Sequence, residues 1–203
     1  GTNPPTSTAT KPGNYSPAKL KDLAQRASLI NQLNEISFLP YLFANDAPTK
    51  TADVHALATL LKSTPKHVWV QPYSSESVEH LIALGAAAAG GYKELADNPV
   101  ISMIACSLTP RSFKKMDIQI ILEAAKAGIP IHACSLPGAG GTAPATITGT
   151  VLLAVAEILA ITAMAQIVNP GAAVVACPII FSTDMRTGRS LQASGKAIRR
   201  APL

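Results

Sequence analysis

Residues 100–135, VISMIACSLTPRSFKKMDIQIILEAAKAGIPIHACS, decide the fold. The opening run, 100–106, is continuously apolar and reads as a strand buried on both faces. Residues 117–127 read as a helix, with Asp117 in the first turn and Gly128 closing it. A second apolar run, 131–134, follows at once. Strand, helix and strand in so short a stretch is the signature of a parallel βαβ unit.

The same alternation extends outward in both directions. Upstream, strands are expected at 38–44 and 67–71, with helices at 51–63 (Thr51 as N-cap, Asp53 in the first turn) and 77–95. Downstream come a helix over 147–168 and a fifth strand over 173–180. A leading helix is expected to begin at Ser16 and Pro17, because Leu20, Leu23, Ala24, Ala27, Ile30 and Leu33 recur at helical spacing. Residues 1–16 are rich in Pro, Thr and Asn and read as a flexible segment. Residues 189–203, with Lys196, Arg199 and Arg200, read as a tail. That leaves one α/β domain over 17–188. An open doubly wound sheet and a (β/α)8 barrel both use this alternation, but a barrel takes about 250 residues and eight units. Five strands therefore make either a complete open sheet or part of a barrel.

Composition narrows the function. Of 203 residues, 48% are hydrophobic, 14% charged and 4% aromatic, so the core is built from Ala, Leu, Ile and Val. The net charge of +5 comes without a dense Lys/Arg stripe, so no nucleic-acid partner is expected. Cys106, Cys134 and Cys177 form no CxxC pair and read as buried reduced thiols, with no metal site. No positively charged segment precedes an apolar core at the start of the chain, and a cytoplasmic protein is expected. Residues 147–168 match the roughly 20 apolar residues of a bilayer span. Glu157 in mid-segment and the many small residues favour a helix buried in an α/β protein instead, with no membrane partner.

In both architectures sites form at the C-terminal ends of the strands. The candidates there are Asn45, Gln71, Tyr73, His132, the glycines Gly138, Gly140 and Gly141, and Asp184 with Arg186. Period two puts Trp69, Gln71 and Tyr73 on one face, and Tyr41, Phe43 and Asn45 on another; such polar-tipped aromatic stripes suit an organic cation. The glycine loop before a helix suits an anion, or serves packing alone. His132 is a core histidine or a site residue. Buried Glu157 requires a partner.

The run 136–188, LPGAGGTAPATITGTVLLAVAEILAITAMAQIVNPGAAVVACPIIFSTDMRTG, resembles the trimethylamine methyltransferase (MttB-like) family of corrinoid-dependent methyltransferases. The glycine loop with TAP and TITG, the AE-L-A helix, the NPGA turn and DMRTG occur together and in order. Residues 38–135 are compatible with preceding barrel units of that family. The resemblance implies a (β/α)8 barrel enzyme that moves a methyl group from a methylated amine to the reduced cobalt of a separate corrinoid protein, with no cofactor bound directly. Archaeal trimethylamine members use a pyrrolysine, and no residue here shows that role. Members without it include glycine betaine demethylating enzymes, so a quaternary amine is the expected substrate class, held by alignment and desolvation rather than acid–base chemistry. Family members are more than twice this long. A truncated member or fragment is therefore expected, self-associating as a homo-oligomer to cover two open sheet edges and an apolar inner face. Because part of the pocket would be missing, it is expected to be weakly active or inactive. A non-catalytic α/β binding or assembly module is the alternative.

Overall fold

The computed structural model describes residues 7–11, 14–41 and 44–191, with side chains from residue 17 onward. Five parallel strands form a curled half-barrel: β1 (Phe38–Pro40), β2 (His67–Val70), β3 (Ile101–Leu108), β4 (Ile131–Ser135) and β5 (Val174–Pro178). Each pairs with its neighbour in chain order, β1-β2-β3-β4-β5, which is the arrangement of a barrel arc. The doubly wound alternative is thereby excluded, since it reverses strand order. Expected strand 38–44 is shorter than read; Leu42 and Phe43 lie outside the described residues.

The helices are α1 (Leu20–Asn31), α2 (Ala52–Ser63), α3 (Ser77–Ala89), α4 (Tyr92–Asp97), α5 (Lys115–Lys126) and α6 (Ile147–Val168). They cover one face of the sheet. Val68, Val70, Ile101, Met103, Ala105, Ile131 and Ala133 alternate onto that face and are fully buried against it. The expected single helix over 77–95 is two. Gly90 takes a left-handed φ of 98° and ends α3, and its N–H and that of Gly91 both return to the Ala86 carbonyl. Helix α1 begins at Leu20 rather than at Ser16: its cap is Lys19, whose N–H donates to Asp22. Residues Ser7–Lys11 and Asn14–Pro17 pair as an antiparallel hairpin where an irregular segment was expected. At the other end of α1, the Lys66 ammonium donates to the carbonyls of Ile30, Leu33 and Ile36, and so complements the carbonyl end of that helix.

Helix α6 is long and apolar enough to cross a membrane by length and composition. One side, carrying Thr150, Ala154, Glu157, Ile158, Ile161 and Ala165, is buried on the sheet. Val151, Leu152, Val155 and Leu159 stay exposed on the other. Glu157 is 2% exposed, and its carboxylate ties the tops of two strands together. One oxygen accepts from the hydroxyls of Ser107 (2.5 Å) and Thr109 (2.8 Å), beside the end of β3, and of Ser135 (2.6 Å), at the end of β4. The other accepts the Arg111 N–H at 2.7 Å. Burial alone pushes the carboxyl pKa up, but these four donors outweigh it and hold it below the usual 4.5.

A small second sheet caps the C-terminal ends. Gly138–Ala139 pairs parallel with Phe181–Thr183, which pairs antiparallel with Ser190–Leu191. The contact is close because Gly138 lacks a side chain: a Cβ there would lie 2.5 Å from the Phe181 ring.

Replacing Glu157 by Ala leaves three hydroxyls and one N–H without their acceptor. The expected loss, read by urea unfolding, is about 3–5 kcal/mol. The sign with pH follows from the lowered value. Unfolded, the carboxyl titrates near 4.5; folded, it titrates lower, so its contribution is whole above 4.5 and fades as pH falls through the folded value. A Glu157→Gln variant should lack that acid-side decline. A loss under about 1 kcal/mol, or the same decline in Glu157→Gln, would contradict the anchoring role.

Candidate functional site at the strand C-termini

Three helices each place one buried carboxylate near the tops of the strands. Asp53, in the first turn of α2, accepts the Tyr73 N–H at 3.0 Å and so fixes the loop after β2. Asp117, in the first turn of α5, accepts the Cys106 N–H at 2.8 Å. Burial raises the Asp117 pKa against that hydrogen bond. With Glu157, these groups hold the strand ends from the helix side. They are positioned by buried polar contacts and leave the inner face of the curl to other residues.

The inner face follows from the register. Phe38 pairs with His67, Trp69 with Ser102, Ile104 with His132 and Val175, and Cys106 with Cys134 and Cys177. Ser102, Ile104 and Cys134 on this face are buried. Phe38 is 48% and Val175 46% exposed. On this face Ser102 Oγ lies 2.7 Å from His67 Nε2 and 2.9 Å from His132 Nε2. His67 Nδ1 meets the Pro99 carbonyl at 3.1 Å, which assigns the proton to Nδ1. Ser102 then donates to His67 and accepts from His132, a directed chain of neutral groups. Burial lowers both imidazole pKa values, and the neighbouring His67 lowers that of His132 further. The Phe38 and Trp69 rings stand 6.2 and 6.0 Å from that of His132.

The candidate residues fall into separate groups. His132 is the second residue of β4, so it sits in the lower half of the inner face, about 10 Å along the strand from the Ser135 end. Tyr73 lies beyond the strand, where period two no longer applies. Its ring packs on buried Tyr41 at 5.5 Å and its backbone is drawn to Asp53, toward the helix layer. Burial and the Asp53 charge raise its pKa to about 12, against a hydrogen bond with Tyr41. Gln71, half-buried, follows directly on β2. Asn45 donates from both its backbone and its side-chain amide to the Ala18 carbonyl, at 2.8 and 3.1 Å, while Asp46 accepts the Leu20 N–H. These residues secure the start of α1. Phe43 lies outside the described residues.

The glycine loop and the hairpin after β5 do come together. Gly138 lies under Phe181, Gly140 beside the Met185 sulfur and Gly141 beside the Thr183 hydroxyl. The loop is not the anion cradle its composition suggested. The Gly138 N–H donates to Thr142, those of Gly141 and Ala143 to the Gly138 carbonyl, and that of Gly140 to the Ala143 carbonyl. Helix α6 starts only at Ile147, with Thr146 as its cap. Its glycines thus serve close packing. Asp184 shapes the hairpin tip by accepting from the Arg186 N–H (3.0 Å) and the Thr187 hydroxyl (2.6 Å), which hold its pKa down. Arg186 is exposed at that tip.

The sequence model of the family described as "Trimethylamine methyltransferase (MTTB)" matches residues 1–198. Trimethylamine methyltransferase MttB of Methanosarcina barkeri is 32% identical over 157 residues, covering 76% of this chain and 32% of the relative. A protein of the same name from Desulfitobacterium hafniense (strain DSM 10664 / DCB-2) is 25% identical over 171 residues, covering 84% of this chain and 34% of the relative. The glycine betaine methyltransferase of Desulfitobacterium hafniense (strain Y51) is 30% identical over 143 residues, covering 70% and 30%. The chain thus spans about a third of the length of the curated relatives it matches. A half-barrel of sequential parallel strands, capped by a glycine loop locked to a DMRTG hairpin, belongs to the trimethylamine methyltransferase (MTTB) family.

Proposed function

We propose that this chain forms the substrate-facing part of a methyltransferase that moves a methyl group from a tertiary or quaternary amine to a corrinoid protein. The support is the family match over residues 1–198, together with a half-barrel that leaves Phe38 and Val175 exposed on its inner face. A quaternary nitrogen is already a competent leaving group once a strong nucleophile is aligned with its methyl carbon. The protein then has to bind, orient and desolvate the cation rather than move protons. Trp69, next to the last residue of β2 on the inner face, offers aromatic surface to an ammonium group. Arg186, on the hairpin above β5, suits the carboxylate of a zwitterion such as glycine betaine, and trimethylamine has no group for it.

Association of this 203-residue chain with a further copy is expected. The exposed row Val151, Leu152, Val155 and Leu159 on α6 is the surface such an assembly covers. Light scattering should therefore give a mass above 21.0 kDa; a stable monomer at high concentration would refute the association.

The catalytic reading is tested by mixing the chain with a reduced corrinoid protein and following corrinoid methylation by absorbance. Methylation should require a methylated amine. Arg186→Ala should raise KM for glycine betaine about tenfold, in keeping with the 1.5–3 kcal/mol of a hydrogen bond to a charged group, and leave trimethylamine unaffected. Absence of methylation with either amine, from an assembly of confirmed mass, would point to a non-catalytic α/β binding or assembly module.

A further inference from the structure

The three cysteines, scattered in sequence, occupy one line in the fold. Cys106 of β3, Cys134 of β4 and Cys177 of β5 are direct partners in the register, all on the inner face. Neighbouring strands lie about 4.8 Å apart, within the Cα separations of about 4.4–6.8 Å that a disulfide spans. All three thiols are reduced; Cys134 is buried and its two neighbours are half-buried. Cys134 stands between its two neighbours in this row. The row runs across three strands instead of converging on a point, and among the described residues no group of three or more His, Cys, Asp or Glu is placed to hold a metal ion. Its geometry suits pairwise sulfur chemistry.

We propose that Cys177 and Cys134 form a thiol–disulfide exchange site on the inner face, with a low-molecular-weight disulfide such as oxidised glutathione as the oxidant. The Cys177 thiolate attacks one glutathione sulfur, forming a mixed disulfide and releasing the other glutathione as a thiolate. Cys134 gives its proton to that thiolate and attacks the Cys177 sulfur, which expels the second glutathione. Two electrons pass from the protein pair to glutathione, and the protein keeps one intramolecular S–S bond. Cys177 is the attacking member for two reasons. It is half-buried where Cys134 is buried, so a small disulfide reaches it first. The hydrogen bond from Cys134 also holds its pKa near 7, against burial, so that much of it is thiolate at neutral pH. Contact with Cys134 holds the Cys106 thiol down as well, against burial and the Asp117 charge, but Cys106 sits two strands further into the sheet than Cys177. Cys134, pushed far up by its two sulfur neighbours and by burial, is the resolving thiol. This inference does not depend on the methyl-transfer reading.

The sequence makes the test direct. Trypsin leaves Cys134 and Cys177 together in fragment 127–186, which contains no internal Lys or Arg, and places Cys106 in fragment 94–111. The native 203-residue chain is equilibrated in glutathione redox buffers, alkylated, digested and weighed. Under oxidising ratios, fragment 127–186 should lose two hydrogens and escape alkylation in both the wild type and Cys106→Ser, while Cys106 of the wild type remains alkylated. Returning to reducing ratios should restore alkylation at both positions. The proposal is overturned by three alkylated cysteines at every ratio, by fragments 94–111 and 127–186 joined through Cys106, or by a glutathione adduct at Cys177 that never closes.

Discussion

One buried carboxylate organises this half-barrel. Glu157 projects from the middle of the longest helix into the layer between helix and sheet, where a bare charge would be strongly unfavourable. It is tolerated because Ser107, Thr109, Ser135 and the Arg111 N–H converge on it. Those donors stand at or just beyond the ends of β3 and β4. A single group on α6 therefore fixes where these strands stop and where their loops begin. The glycine loop, the hairpin that packs on it and Arg186 are all downstream of that placement. Asp53 and Asp117 do the same for neighbouring loops with fewer partners.

The division of labour between the faces follows from this. The face toward the helices is packed with fully buried Val, Ile, Met and Ala, and its polar contacts are confined to the strand tops. The inner face carries the chemistry-bearing groups: the His67–Ser102–His132 chain low on the strands and the cysteine row above it. Proximity to the strand tops distinguishes the second layer from the first. The two neutral imidazoles, bridged by the Ser102 hydroxyl, make a floor that is polar without being charged.

Much of the fold was legible in the sequence because parallel strands with helical crossovers leave long apolar runs and periodic helices; the bounds of α6 agree to the residue. Gly90 shows where such reading fails: an apolar period carried across it predicted one helix, whereas its left-handed φ ends α3 there. The site was less legible. Glu157 announced the need for partners, but Ser135 lies 22 and Ser107 lies 50 residues away, and only the register brings them to one oxygen. The cysteine row was invisible for the same reason, since period two orders residues within a strand and says nothing between strands. The glycine loop stayed open between an anion site and a packing turn, because its neighbour, the hairpin carrying Phe181 and Met185, lies some 40 residues downstream in the chain. His132 was placed too high because a strand histidine carries no mark of its distance from the strand's end.

The central claim is that the strand C-termini form a binding site for a methylated amine. It is tested most directly by titrating glycine betaine into isotope-labelled protein and following the backbone amides by NMR. The account predicts saturable shifts, with weak affinity, at Gln71, Gly140 and Arg186, and smaller ones at His132 lower on the inner face. Shifts confined to the opposite ends of the strands, around His67 and Ile101, or no shifts at all, would contradict it.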